Sequence, residues 1–342
     1  MKTPATPSLA TIAAEVGVSR MSVSRALRNV PSVDEALRRR VHAVARRLGY
    51  RRDPRLTELM EYLRHRRERP ARETLAFVLC QRSAEEPRLS AAVRRFLEGI
   101  TLRARSHGYA LERFALAPGL MSPHRLAQIL RTRGIEGVII CNVWAAGADF
   151  DGLLQDTVAC LGGTARPELR THRAASNHYH NIRLALRALQ ERGYRRIGLY
   201  LDEETDRNLQ HCWRAGLADH LFAEGIGLAD LLQVVPGWQS EDFRSWVRRA
   251  RPEAVLTLHP PAAEWVRGMA GRRRIGLALL DLEPGMREVA GLDQNGEEIG
   301  KAAVDLVAAR LLAHDLGLPD HPHLVTVEGT WVDGPSLPMR AG

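Results

Sequence analysis

From Thr74 onward, short apolar runs alternate with amphipathic stretches of helical period. That alternation narrows the choice of fold more than any other feature of the 342-residue sequence. "TLAFVLC" reads as a buried strand, followed by a helix near 90–106 and then Gly108. "YALERFAL" gives the next strand, a helix near 123–132 leads to "GVIICNV", and "TVACLGG" follows. The pattern then repeats. A helix over 179–191, stopped by Gly193, precedes "RRIGLYL"; a helix over 207–224 precedes "LLQVV"; a helix over 240–250 precedes "EAVLTL". After a helix near 262–270 come "RIGLALL" and a long helix over about 296–313. Such alternation implies parallel sheets with helices on both faces. Two successive blocks of it point to two similar lobes.

The sequence ahead of Thr74 has a different texture. Residues 1–70 carry 16 Lys and Arg against 7 Asp and Glu, so the whole net charge of +9 sits there and the remainder is balanced. A segregated basic segment with helical periodicity points to a polyanion, nucleic acid foremost. Ser8 is placed to cap a helix whose inward stripe is Leu9, Ile12, Ala13 and Val16, with Gly17 as its stop. Ser19 then caps a second helix from Arg20, which leaves only Gly17 and Val18 between the two. The capping box Ser32-x-x-Glu35 predicts the start of a third helix ending at Gly49. Its inner stripe is Val33, Leu37, Val41, Val44 and Leu48.

The second helix lies in "VGVSRMSVSRALRN", a stretch without a single acid. Val23, Ala26 and Leu27 face inward. Arg20, Met21, Ser24, Arg25 and Arg28 are left on the outer face, with Ser22 at its margin. Guanidinium groups suit guanine edges and phosphates, hydroxyls suit phosphate oxygens, and an acid-free N-terminus lets the helix dipole meet a phosphate. These are the properties of a helix that enters a DNA major groove.

"LATIAAEVGVSRMSVSRALRNV" resembles the helix-turn-helix of the lactose/galactose repressor family, with Ala13, Gly17, Val18, Ser19, Val23, Ser24, Arg25 and Leu27 on the pattern. "RVHAVARRLGY" resembles the third helix of the same headpiece. The resemblance implies a DNA-binding headpiece over 1–50, a hinge helix or linker over 51–71, and a two-lobed effector-binding and dimerisation core over 72–335. It also implies that Arg20 and Met21, following the capping Ser19, read bases together with Arg25, while Ser22 and Ser24 hold phosphates. Met21 departs from the polar residues common there and suits a thymine methyl. Arg28 replaces the family's asparagine.

In "YRRDPRLTELMEYLRHRRERP", Asp53 followed by Pro54 is a helix start, and Leu56, Leu59, Met60 and Leu63 form an apolar stripe. Such a short, charged helix needs a partner. In the family, two hinge helices pair over the minor groove, and a leucine from each wedges between base pairs. Alignment from Tyr50 places that leucine at Leu59, with Met60 next in line. The family's proline–asparagine pair falls on Arg52 and Asp53, and this chain's proline follows at 54. The other reading docks the stripe on the larger domain.

The order of the remaining elements resembles the periplasmic-binding-protein-like core of the same family, with "ALQERGYRRIGLYL", "DRNLQHCWRAGL" and "LDQNGEEIGKAAVDLVAARL" as landmarks. This implies a small molecule, usually a sugar or a nucleobase, between the lobes at the strand ends. Arg207 matches a pocket arginine and Asp281 a pocket aspartate, while Asn177 falls where aspartate is common. Trp213 stands where many members have a second effector arginine, which disfavours an anionic effector and favours stacking on a sugar face. Asn142, Trp144 and Asp202 join them from strand-end position alone.

Other chemistry finds no support. Cys80, Cys141, Cys160 and Cys212 lack metal spacing and read as small buried hydrophobes. His178 and His180 in "NHYHN" point to different helix faces, so neither a metal nor a cofactor is expected. "HPP" and "DHPHL" read as turns, "LGGT" is too short for a phosphate loop, and no nucleophile elbow or catalytic set is present. No export signal or membrane-spanning run occurs, so the expected location is the cytoplasm. The expectation is a ligand-responsive transcriptional regulator, more in keeping with a repressor than an activator. It would be a homodimer on a pseudo-palindromic double-stranded operator, modulated by a small molecule such as a sugar. A solute receptor would need an export signal, and an enzyme on the same core would need a phosphate loop or a nucleophile.

Overall fold

In the computed structural model of this chain, the described residues are 8–27, 33–50, 73–83, 89–142, 150–269, 275–283 and 285–340. Their contacts divide the chain into two units, Met1–Pro70 and Ala71–Gly342.

The first unit contains α1 (Leu9–Val16), α2 (Arg20–Leu27) and α3 (Glu35–Arg47). Ser8 caps α1 in a box with Thr11, and Gly17 ends it in the left-handed region at φ 76°, a conformation that costs a side chain about 1–2 kcal/mol. Ile12, Val23, Ala26 and Val41 are fully buried where the three helices meet, with Ala13, Val16 and Ala45 beside them. The cap of α3 differs from expectation. Asp34, not Ser32, accepts a hydrogen bond from the Leu37 N–H at 3.0 Å, because the aspartate is in register with the first helical turn. Ser32 itself lies outside the described residues. Arg40 donates to the Val16 carbonyl at 3.1 Å, and Arg47 pairs with Glu15, which fastens α3 to the end of α1.

The second unit holds two six-stranded sheets. Lobe 1 begins with β1 (Thr74–Cys80), α4 (Ala91–Ser106), β2 (Ala110–Leu116), α5 (Pro123–Arg133), β3 (Gly137–Cys141), α6 (Asp151–Leu154), β4 (Val158–Gly162) and β5 (His172–Ser176). Lobe 2 follows with α7 (His178–Glu191), β6 (Ile197–Asp202), α8 (Glu203–Asn208), α9 (Cys212–Ala223), α10 (Leu228–Leu231), β7 (Leu232–Val235), α11 (Ser240–Ala250), β8 (Ala254–Thr257), α12 (Ala262–Arg267), β9 (Gly276–Leu279) and β10 (Ala290–Asp293). The chain then returns to lobe 1 through α13 (Gly296–Ala313) and β11 (Leu324–Val327), and ends in lobe 2 with β12 (Thr330–Val332).

The strand order is β11-β5-β4-β3-β1-β2 in lobe 1 and β12-β10-β9-β8-β6-β7 in lobe 2. All pairings are parallel except β10 with β12. Several of the strands covered on both faces are apolar throughout, as in the fully buried "GVIIC" of β3. In lobe 1, α4 and α13 cover one face and α5 and α6 the other. In lobe 2, α7, α9 and α10 cover one face and α11 and α12 the other. Helices α4 and α13 meet backbone to backbone. A Cβ on Gly300 would lie 2.1 Å from the Phe96 carbonyl oxygen, and one on Gly99 1.9 Å from that of Glu297.

Three short crossings join the lobes, at 177, at 294–295 and at 328–329, and side-chain amides stitch them together. Asn181 donates to Ser176 Oγ at 2.8 Å and accepts from the Gly329 N–H at 2.8 Å. Asn295 donates to the Glu328 carbonyl at 2.8 Å, and the Asn177 N–H donates to that of Val327 at 2.8 Å.

Besides the strands β10–β12 and the short helices α6 and α10, which the sequence reading did not place, two elements depart from it in an instructive way. The helix expected over 207–224 is broken into α8 and α9, because Gln210 and His211 both adopt left-handed conformations, at φ 52° and 59°. Strand β5, "HRAAS", has no apolar run to betray it, yet Arg173 is buried. Its guanidinium donates to the carbonyls of Ala165, Arg166 and Leu169 at 2.6–2.9 Å, so the charge is shielded by acceptors rather than by water.

Candidate nucleic-acid interface and ligand cleft

Helix α2 is held from beneath by Val23 and Ala26, both fully buried. Ser19 Oγ accepts from the Ser22 N–H at 3.1 Å and shares a 2.9 Å contact with Ser22 Oγ, so one side chain both caps the helix and fixes its neighbour. Arg25 is exposed, and no described residue forms an ion pair with it. The lone acid between Ser8 and Leu27 is Glu15, and it is engaged by Arg47. The outer face of α2 therefore offers positive charge without a competing carboxylate. Arg20, Met21 and Ser24 lie on α2; their side chains, like Arg28, Leu59 and Met60, fall outside what is described.

In the second unit, the carboxyl ends of the strands carry the polar residues. Asn142 directly follows β3, half-buried and left-handed at φ 60°. Asn177 closes β5 and caps α7, its side chain accepting from the His180 N–H at 3.1 Å. Asp202 ends β6 and caps α8, accepting from the Thr205 N–H at 2.9 Å. It is 7% exposed, and its other carboxylate oxygen has no hydrogen-bond partner. Arg207 projects from α8 into solvent. Trp144 lies outside the described residues.

Trp213 requires a correction. Rather than lining a cleft, it is fully buried in the core of lobe 2, with its ring 5.1 Å from that of His178. Its α9 position faces α7 and the sheet, and a large apolar side chain on that face is drawn into the core.

The aromatic surface lies elsewhere. Trp238, after β7, stacks on His259, after β8, with ring centroids 4.6 Å apart and planes 8° from parallel. Trp265 also approaches His259, its ring centroid 4.7 Å away and its plane tilted by 44°. Both members of the stack are half-buried. Burial holds the His259 pKa below the ordinary imidazole value, against a smaller upward pull from Asp202. Sequence reasoning missed this pair because "HPP" read only as a turn. The signal available was a tryptophan and a histidine each placed just beyond an apolar strand.

The register gives the site its geometry. Tyr200, Thr257 and Leu279 are aligned across β6, β8 and β9. Asp202, His259 and Asp281 each come two residues later, so they form one row along the strand ends. Asp281 is half-buried. Burial pushes its carboxyl up to about 6, Arg95 opposes the rise, and Asp293 and Glu283 add to it.

The lobes touch through polar groups. Arg95 grips Asp293 with hydrogen bonds of 2.5 and 3.0 Å, and Arg82 pairs with Glu204. Gln210 donates to the Thr164 carbonyl at 2.7 Å, while Thr164 Oγ1 donates to the Asn208 carbonyl at 3.3 Å. Among the described residues there is no cluster of His, Cys, Asp and Glu fit to hold a metal, and no helix long and apolar enough to cross a membrane.

Residues 8–53 match the family model "Bacterial regulatory proteins, lacI family". No curated protein matches the sequence. Among solved structures, the transcriptional regulator CelR in complex with cellobiose is similar at 18% identity, covering 96% of this chain and 98% of that one with a TM-score of 0.60. The lac repressor dimer bound to operator and the anti-inducer ONPF matches at 16% identity, 97% and 99% coverage and a TM-score of 0.56. A LacI family transcriptional regulator from Enterococcus faecium with bound ribose matches at 14% identity, 78% and 100% coverage and a TM-score of 0.59. These likenesses describe a shared fold.

Proposed function

We propose that this chain, a member of the lacI family of bacterial regulatory proteins, is a sequence-specific DNA-binding transcriptional regulator whose operator affinity is set by a sugar bound between its lobes. The observation that carries the reading is the acid-free outer face of α2, seated on buried Val23 and Ala26 within the matched residues 8–53. An exposed, unpaired Arg25 suits a base edge, and Ser19, Ser22 and Ser24 suit phosphates. Arg20, Met21 and Arg28 belong to the same surface, and Leu59 is the candidate minor-groove wedge in a hinge over 51–71. The protein is a cytoplasmic repressor, acting as a homodimer with one headpiece per half-site.

In the core over 72–335, Asn142, Asn177, Asp202 and Asp281 are the lining candidates at the strand ends, with Trp144 and the solvent-facing Arg207 as further candidates. The Trp238–His259 stack takes over the sugar-platform role expected of Trp213. Named partners of similar structures, an operator, cellobiose and ribose, agree with this reading. Ligand bound more tightly by one lobe arrangement than by the other shifts the equilibrium between them and so alters DNA affinity. The test is selection of bound DNA from a random pool, repeated with a panel of sugars. A two-fold symmetric sequence whose recovery changes with one sugar is the expected result. Recovery of no preferred sequence would overturn the proposal.

A further inference from the structure

Within that reading of the cleft, the wall built by lobe 2 has a chemical bias of its own. Asp202, His259 and Asp281 stand in one row at the ends of β6, β8 and β9, with the Trp238 indole lying flat on the imidazole. At the ordinary spacing of neighbouring strands, the two carboxylates are about 10 Å apart, a span that one sugar ring and its substituents can bridge. One oxygen of Asp202 is buried without a partner, and no described residue donates a hydrogen bond to Asp281. Among the described residues, Arg95 is hydrogen-bonded to Asp293 and acts on Asp281 only through space, Arg82 pairs with Glu204, and Arg207 stands out in solvent.

A shielded carboxylate without a counter-charge is costly, and a ligand that covers it without supplying positive charge makes the cost greater. A hydroxyl group would satisfy the hydrogen bond and leave the charge. A protonated amine satisfies both, and the adjacent aromatic faces attract a cation as well. Burial raises the Asp281 carboxyl to about 6 even with Arg95 opposing it, so a further positive charge there would favour the ionised form.

We infer that the ligand of this cleft is an amino sugar, a polyhydroxy ring whose protonated amine meets Asp202 against the Trp238–His259 stack, while Asp281 accepts from a ring hydroxyl and adds its charge through space. A neutral sugar of the same stereochemistry binds more weakly, and a phosphorylated one is repelled. Asp202 and Asp281 are then the specificity-determining residues of the site, separate from the groups that meet DNA.

The test is calorimetric titration of the full chain near neutral pH with matched compounds, namely glucosamine, galactosamine and mannosamine, their N-acetyl forms, and glucose, galactose and mannose. For at least one stereochemistry, the free amine is expected to bind roughly tenfold or more tightly than the neutral and N-acetyl partners, as a charge-assisted contact should. Asp202→Asn keeps the oxygen that caps α8 and is expected to abolish the preference. Asp281→Asn serves the same purpose should the first variant melt early. Equal binding of neutral and amine forms, survival of the preference in both variants, or binding of none of these compounds by a chain that still selects an operator would each overturn the inference. Failure to select any operator would instead strike the regulator reading.

Discussion

Arg95 on α4 of lobe 1 holds Asp293 at the end of β10 in lobe 2 through two hydrogen bonds, 2.5 and 3.0 Å long, with the two side chains only 19% and 29% exposed. Asp293 also accepts from the Asn295 N–H at 2.7 Å, so the pair is anchored at the crossing where the chain re-enters lobe 1. Charge-assisted bonds shielded in this way contribute about 1.5–3 kcal/mol. Arg95→Met is expected to lower the stability of the core by that amount in urea unfolding. A double-mutant cycle with Asp293→Asn should give a coupling of similar size, and additive losses would deny the pair its role.

The exposed Arg25 carries a prediction about DNA. Arg25→Ala is expected to cost about 1–3 kcal/mol on the selected operator and to relax the preference at one base position. An equal loss on every sequence would assign the residue to a phosphate. Across the whole interface, about 6–10 phosphate contacts should lower affinity by roughly 10³–10⁵ between 50 and 200 mM salt, and a flat profile would contradict an electrostatic interface.

The crossing of α4 and α13 depends on the missing side chain of Gly300. A methyl there would sit 2.1 Å from the Phe96 carbonyl oxygen, and backbone offers no rotamer through which to yield. Gly300→Ala should cost about 1–3 kcal/mol or more in thermal unfolding. Gly152→Ala is the control. Its Cβ meets nothing within 4 Å, so it should be neutral or raise stability by about 0.4–1 kcal/mol.

Acid should weaken lobe 2 in two stages, the first offset by Asp281, whose carboxyl, raised from 3.8 to about 6, favours the folded form as it takes up a proton between those values. Burial lowers the His178 pKa from 6.5 to about 4, so the folded form resists a proton that the unfolded chain accepts. The His178 contribution is therefore full above about 6.5 and is lost as the pH drops towards 4. Glu253 is pushed up by burial. That is outweighed by the N–H groups of Arg195 and Arg196 and by Arg340, which bring it from 4.5 to about 2. Its contribution is present above 4.5 and lost between there and about 2. His178→Phe, which keeps an aromatic ring against Trp213, should flatten the first stage alone. An unfolding series from pH 8 to 2, spanning both windows, reads both, and an unchanged first stage in the variant would reject the assignment.

Most of the architecture was legible in the sequence because buried parallel strands are written as apolar runs. "GVIIC" and "TLAFVLC" announced themselves, while "HRAAS" hid because its charge is satisfied by carbonyls of the loop just before it, which no apolar pattern records. The break between α8 and α9 was invisible for a related reason. Gln210 and His211 hold left-handed conformations without glycine, and cross-lobe contacts such as the bond from Gln210 to Thr164 are tertiary facts. The cleft was read in part. Strand-end position singled out Asp202 and the family resemblance Asp281, but residue type misled at Trp213, where the same indole serves a core as well as a sugar. Trp238 and His259 become a surface only when β7 and β8 flank β6, and sequence adjacency does not reveal that neighbourhood.

The return of the chain to lobe 1 has a consequence for biosynthesis. Helix α13 and the edge strand β11 are the last-made parts of a sheet whose first strand is β1. On the ribosome, lobe 1 must therefore wait, with one flank of its sheet uncovered, while nearly the whole of lobe 2 is translated. The apolar face that α13 will cover stays open to chaperones throughout that interval, and a nascent chain arrested before residue 296 should be recognised by them even though most of its strands already exist.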